Sequence, residues 1–251
     1  MSGLGRRLAA RWAGTFGPRT SGPPRSSNGA SSFHLRWLGL DPGETIIEAS
    51  VTLEIVVPPV VPHLYFWALQ ASFADVTATG AGHLGLQWYA AHPGGTAANW
   101  GGYRHGGGEL DGTASELPSA TGNPNTRDFQ WEPGRPYRLT IGRGSEDGAW
   151  RGSVDGQVIR ELHGDGHRLT DLMVWSEVFA RCDDPSVVAR WSAFAARSTA
   201  GTTLVPDRLA VSYQSNPDGG CDNSSVRVSG GVADQVTNTT RDVPAGAVLP
   251  L

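Results

Sequence analysis

The sequence predicts an all-β protein, an antiparallel two-sheet sandwich, on three observations. Apolar and polar residues alternate with period two in a succession of short runs, the pattern of strands that bury one face. The 34 glycines and 17 prolines punctuate those runs at turn intervals, where each supplies a backbone geometry that ends a strand. Nine tryptophans add to this, because aromatic side chains suit a pleated, half-buried surface. At 251 residues the chain suits one large β domain. A domain of that size buries roughly 75% of the surface its unfolded chain exposes, so no metal or disulfide staple is required.

Residues 1–31 stand apart from the rest. Arg6, Arg7, Arg11, Arg19 and Arg25 occur there with no acidic residue, followed by the turn-rich run GPRTSGPPRSSNGASS. The composition predicts a disordered arm outside the fold, and residues 32–251 form the single sandwich domain. An export signal needs an uninterrupted apolar segment, which Arg11 breaks, and an Arg-rich start without acids also fits a transit peptide. The cytoplasm is the default compartment on this reading. No window approaches a membrane span. The net charge of −4, with all 20 basic residues Arg, gives no basic surface of the kind a nucleic-acid partner needs.

From Ser32 the strands follow in order. Phe33, Leu35 and Trp37 alternate with His34 and Arg36, and Asp41-Pro42-Gly43 marks a turn. Ile47, Ala49, Val51, Leu53, Ile55 and Val57 share one face, Glu48, Ser50, Thr52 and Glu54 the other, until Pro58 and Pro59 end the run. Leu64, Phe66 and Ala68 oppose Tyr65, Trp67 and Leu69. Both faces are apolar, which predicts an interior strand. In the next run Leu84, Leu86 and Trp88 form an apolar row, and His83, Gln87 and Tyr89 a row free to meet a ligand.

The segment from His92 to Arg127 has little periodicity and many glycines, which predicts a long loop over one end or face of a sheet. Asn99, Trp100, Tyr103 and Arg104 lie in it. Aromatic faces for stacking, with amide and guanidinium donors for hydroxyls, are what a carbohydrate or small polar ligand uses. The candidate ligand-binding set is therefore His83, Gln87, Tyr89, Asn99, Trp100, Tyr103 and Arg104. The alternative is that the loop aromatics simply plug the loop onto the sheet.

Beyond it, Tyr137, Leu139 and Ile141 face inward, and AWRGSVDGQVIREL reads as a hairpin whose Asp155-Gly156 pair suits a type I′ turn. DLMVWSEVFA, residues 171–180, is apolar on both faces except for Glu177. A reversal at Cys182–Ser186 would bring Glu177 level with Arg190, which predicts a structural ion pair between neighbouring strands, since buried charges are normally paired. A catalytic acid is the sharper alternative. Leu209, Val211 and Tyr213 continue the alternation, then SNPDGGCDNSS leads to Val226 and Val228.

Catalytic and cofactor motifs are missing: no G-x-S-x-G elbow, no P-loop and no dinucleotide-binding glycine pattern occurs, so no cofactor is expected. His163 and His167 are four apart, but Gly164 and Gly166 argue for a polar turn over a metal-binding helix. Asp218, Asp222 and Asn223 lack the spacing of a calcium loop. No metal site is assigned. Cys182 and Cys221 read as two reduced thiols, with a disulfide as the alternative. Asn223 and Asn238 head glycosylation sequons that matter only on export in a eukaryote.

The strand rhythm, the aromatic run Tyr65–Leu69 and the hairpin from Trp150 to Val158 resemble the concanavalin A-like lectin/glucanase superfamily. The chain is also similar to uncharacterised actinobacterial proteins. The superfamily resemblance implies a jelly-roll sandwich over residues 32–251, with a carbohydrate on one sheet face. The E-x-D-x-x-E strand motif of its glucanases is missing, and with it the usual carboxylate pair. Three functions follow as expectations. The first is noncatalytic binding of a carbohydrate or small polar ligand. The second is a glycan-active enzyme with a nonstandard acid such as Glu177, Asp155 or Glu109. The third is a structural or partner-binding sandwich with no small-molecule site.

Overall fold

The computed structural model describes residues 19–251. Its strands, in chain order, begin with β1 (Ser31–Leu38), β2 (Ile46–Val57), β3 (Tyr65–Ala74), β4 (Ala78–Trp88), β5 (Thr96–Arg104) and β6 (Thr126–Asp128). There follow β7 (Pro136–Arg143), β8 (Ala149–Val154), β9 (Gln157–His163), β10 (Arg168–Val178) and β11 (Val188–Ser198). The chain closes with β12 (Thr203–Leu204), β13 (Arg208–Tyr213), β14 (Ser224–Ser229), β15 (Val232–Thr237) and β16 (Val248–Pro250). One sheet runs β16-β13-β1-β10-β3-β4-β5-β6, the other β14-β15-β11-β2-β7-β8-β9 with β12 on β11. Every pairing between these strands is antiparallel. Among the described residues no helix is long and apolar enough to cross a membrane.

The core lies between the sheets because each strand turns its apolar row inward. Phe33, Leu35, Tyr65, Trp67, Leu84 and Leu86 from the first sheet meet Val51, Leu53, Leu139, Ile141, Trp150 and Trp191 from the second in one buried cluster. Strand β3 is interior, between β10 and β4, as its two apolar faces require. Asp155 and Gly156 turn the β8–β9 hairpin with φ of 48° and 81°, the two positive angles of a type I′ turn.

Five expectations change. In β2 the register slips where Arg197 faces Glu48 and Ser198 faces Ile46. A bulge reverses parity, so Ile46 is buried instead of Ile47. At the other end of β2 a second slip, where Val188 faces Val57 and Ala189 faces Ile55, accompanies a Val57 that is 41% exposed. The loop expected over residues 92–127 contains β5, paired with β4 from Gly80–Arg104 to Trp88–Thr96. Its glycines hide the period but fit the pairing: a Cβ on Gly102 would stand 2.2 Å from the Ala81 carbonyl oxygen.

Residues 19–31, expected in the arm, are bonded to the sandwich. Thr20 bonds Asp222 through its amide (2.7 Å), Gly22 accepts from the Cys182 amide (2.8 Å), and Arg25 donates to Gly219 (2.8 Å). The disorder expected of residues 1–18 lies outside the described residues. Cys182 and Cys221, expected as thiols, form a disulfide with Cα atoms 5.4 Å apart, because the end of β10 and the approach to β14 meet at one end of the sandwich.

The Glu177–Arg190 ion pair does not form. The segment after β10 crosses to the other sheet instead of reversing, so β10 pairs with β1 and β3 while β11 pairs with β2 and β15. Arg190 binds Asp234 at 2.8 and 3.1 Å, and Glu177 accepts from the Asn28 amide at 2.9 Å.

Candidate ligand-binding face

The outer face of the first sheet carries chemistry in three cross-strand rows. The first is Ser32, Glu177, Phe66, Gln87, Ala97 and Asp128; the second is His34, Trp175, Ala68, Gly85, Asn99 and Thr126. The third is Arg36, Met173, Gln70, His83 and Gly101. Adjacent strands are about 4.8 Å apart, so β10 to β5 spans roughly 14 Å.

At the centre of the middle row stand only a methyl, Ala68, and a bare backbone, Gly85. Gly85 is demanded by close approach, since a Cβ there would lie 1.8 Å from the Trp67 carbonyl oxygen. The small pair leaves room for larger neighbours to lean together. Phe66 and Trp175 meet edge to face at 5.0 Å, and His83 joins them at 5.7 and 5.8 Å. The Trp175 indole donates to Gln70 Oε1 at 2.9 Å, which fixes the ring's orientation. Tyr103, 55% exposed, extends the cluster from His83 at 6.0 Å.

The rings at the centre of this surface are uncharged, and its charged groups, Arg36, Glu177 and Asp128, lie toward the ends of the rows. Burial pushes the His83 imidazole down to about 4 and lowers His34, so both rings are neutral at neutral pH. Burial raises Glu177 above the usual carboxyl range, opposed by the Asn28 hydrogen bond. Asn99 is buried, donates to Thr126 Oγ1 at 2.8 Å, and leaves its Oδ1 without a partner. A buried acceptor left unpaired costs about 1–3 kcal/mol. At the end of the first row Asp128 binds His92 Nδ1 at 2.5 Å; the Ala120 amide, then His92, holds its carboxyl below the usual range despite some desolvation.

Of the residues singled out from the sequence, His83, Gln87, Asn99 and Tyr103 share this face. Tyr89 lies just past β4, its ring 5.6 Å from His92. Trp100 does not belong: it points into the core, fully buried, and its indole donates to the Trp150 carbonyl at 3.2 Å. Its placement follows from strand parity, since Asn99 and Tyr103 face out and Trp100 must face in. Arg104 is also turned away, toward Asp111 at 3.2 Å and Asp165 at 3.5 Å.

Phe66, Gln70, Trp175 and His34 were missed. The signal for Phe66 and Trp175 is in β3 and β10, whose second faces are apolar and aromatic although only one can meet the core; Gln70 and His34 follow from the outward parity of β3 and β1. Asp155 caps the Arg138 amide at 2.7 Å and pairs Arg135 at 3.2 Å in the second sheet, a turn role apart from this face. Glu109 sits at a bridge to Tyr103. His167 is held by Asp75 at 2.6 Å and Asp147 at 3.3 Å. Both sequon asparagines are engaged, Asn223 with the Cys182 carbonyl and Asn238 with the Asp184 carbonyl. Among the described residues no group of three His, Cys, Asp or Glu is placed to hold a metal.

No protein-family model matches the sequence, and no curated protein matches it. Among solved structures, the chain is similar to a scytalido-glutamic peptidase bound to a peptide-based transition state analog. The identity is 11% and the TM-score 0.45, over 82% of this chain and 97% of that one. A carbohydrate binding module from Bacillus subtilis is similar at 10% identity and TM-score 0.32, over 55% of this chain and 74% of that one. A Bacillus subtilis protein with a galectin-like fold is similar at 15% identity and TM-score 0.31, over 75% and 90%. Likenesses of this size concern the β-sandwich class; they single out neither the concanavalin A-like superfamily nor an actinobacterial relative, and transfer no residue role.

Proposed function

We propose that the outer face of the first sheet binds a carbohydrate or another small, uncharged polar ligand. The observation that carries this reading is the cluster of Phe66, Trp175 and His83 rings, extended by the exposed Tyr103, on an outward sheet face. Tyr103 offers an exposed ring for a sugar to stack on, and Asn99 Oδ1, covered in the free protein, accepts a ligand hydroxyl when its side chain turns outward. Gln87 and the neutral His83 complete a polar rim without net charge, which favours a neutral ligand over an ionic one.

A glycan array followed by calorimetric titration tests this. Tyr103→Ala and Asn99→Ala are each expected to weaken the best ligand tenfold or more with the circular dichroism spectrum unchanged. Unaltered affinity in both variants would remove the face from consideration.

A second reading, hydrolysis of a glycosidic or peptide bond, is favoured by Glu177. Its carboxyl retains a proton more readily than an exposed one, as a general acid requires. Gln87 stands in the same row across Phe66, about 10 Å away at the backbone, as a hydrogen-bond donor to substrate. Under this reading turnover is present at low pH, falls as pH rises through the Glu177 pKa, and is lost in Glu177→Gln while binding persists.

The stability of Glu177→Gln is a separate check. A folded-state pKa raised above the unfolded value of about 4.5 means that the native state binds the proton more tightly. Wild-type stability then declines as pH rises from the unfolded pKa through the folded one and stays reduced above it. Glutamine keeps the acceptor for Asn28 without the charge. The variant is expected to match wild type in acid and exceed it at neutral pH in urea unfolding. A variant less stable at neutral pH would mean that the carboxylate has a stabilising partner.

A further inference from the structure

Strands β6 and β9 are the last members of their sheets at the same side of the sandwich, and the chain between β5 and β6 straps that side. It bridges Tyr103 to Glu109 and Gly112 to Leu162, and Thr113 donates to the Glu161 carbonyl at 2.9 Å. Beneath this strap two arginines converge. Arg127 Nη2 and Arg160 Nη1 both donate to the Pro124 carbonyl oxygen, each at 2.9 Å. Two like charges are thus held against one neutral acceptor.

The charge is not balanced locally. Arg160 is only 5% exposed, and its other acceptor is the neutral Asn125 Oδ1 at 2.8 Å. The Nε of each arginine is buried without a partner. Among the described residues no carboxylate comes within 4.0 Å of either guanidinium, and Asp111, whose charge reaches Arg160, is bonded to Arg104. A buried cation without a counter-charge is expensive. Arg160, though not Arg127, also lines a groove of about 650 Å³ whose wall includes Thr113 and Ser115. Glu116 and Glu161 face the same groove, but Glu161 is taken up by Arg151 and Ser145.

We propose that Arg127 and Arg160 form an oxyanion-binding site beneath the strap at the sandwich edge, for a phosphate, sulfate or carboxylate group. The anion supplies the counter-charge that the fold lacks, and guanidinium forks bind such groups through two parallel hydrogen bonds. The site is separate from the outer sheet face, and its test does not depend on that face's ligand.

Thermal unfolding of the full chain is measured with inorganic phosphate, sulfate and glucuronate, each against chloride at equal ionic strength. A saturable rise in Tm with at least one of the three is expected, and the one that saturates lowest identifies the source of the group. Arg127→Gln, which leaves the buried Arg160 in place, is expected to weaken that anion tenfold or more. Without anion it should melt no lower than wild type, because it removes like-charge repulsion. A Tm that follows ionic strength alone, or an anion response unchanged in Arg127→Gln, would overturn the proposal.

Discussion

Gln235→Leu is expected to lower unfolding stability by about 3–5 kcal/mol, among the largest losses available to a single substitution in this chain. Gln235 lies on β15 in the second sheet, 1% exposed, yet its amide serves both sheets. Nε2 donates to the Phe33 carbonyl on β1 at 2.9 Å. Oε1 accepts from Ser176 Oγ on β10 at 2.6 Å and from the Trp191 indole on β11 at 2.8 Å. Leucine fills most of the volume but leaves a hydroxyl and an indole N–H buried without partners and takes from the Phe33 carbonyl its second bond, the first being the ladder bond to Ser176. Each unpartnered group costs roughly 1–3 kcal/mol unless water reaches it. Ser176→Ala removes only one of the three bonds and is expected to cost about 1 kcal/mol. Urea unfolding of the two variants checks the ratio, and a loss below about 1 kcal/mol for Gln235→Leu would show that the amide contributes little net energy.

Reduction of the Cys182–Cys221 disulfide is the second large effect. The bond joins residues 39 apart in sequence, and the chain-entropy treatment of a loop of that length gives about 4 kcal/mol, an upper value when the reduced chain keeps residual structure. The surroundings say where the loss appears first. The Cys182 amide donates to Gly22, the Cys221 amide to Ser31 Oγ at 2.8 Å, and Asn223 reaches the Cys182 carbonyl. Residues 19–31 are therefore tied to the sandwich through the cysteine segments. With reductant, amide exchange is expected to accelerate there before it does in β2 or β3. A double Cys→Ala variant with unchanged urea midpoint would contradict this. Such a bond persists in oxidising surroundings and opens in reducing ones, so full stability belongs to the oxidised protein.

The unequal legibility of the candidate site has a definite cause. Alternation tells which residues of one strand share a side, so it groups His83 with Gln87 on β4; Asn99 and Tyr103 join them only through the pairing of β5 with β4, which no period in the glycine-rich segment announces. Trp100 was included because the glycines around it masked β5 as a loop; once the strand is recognised, its parity excludes it. Phe66 and Trp175 escaped because an apolar residue on either face of a buried strand has the same local pattern. Only the neighbours show that one face meets the core and the other meets His83.

What the sequence by itself determined was therefore local: the all-β class, the alternating rows of β1, β7 and β13, and the type I′ turn at Asp155-Gly156. These follow from side-chain alternation and backbone sterics, which act within a few residues. The tertiary structure alone decided which sheet each strand joined. That choice separated Glu177 from Arg190, brought Cys182 to Cys221, and set Arg127 beside Arg160. Partners of this kind are selected by packing between segments far apart in the chain, and no periodicity within one segment encodes them.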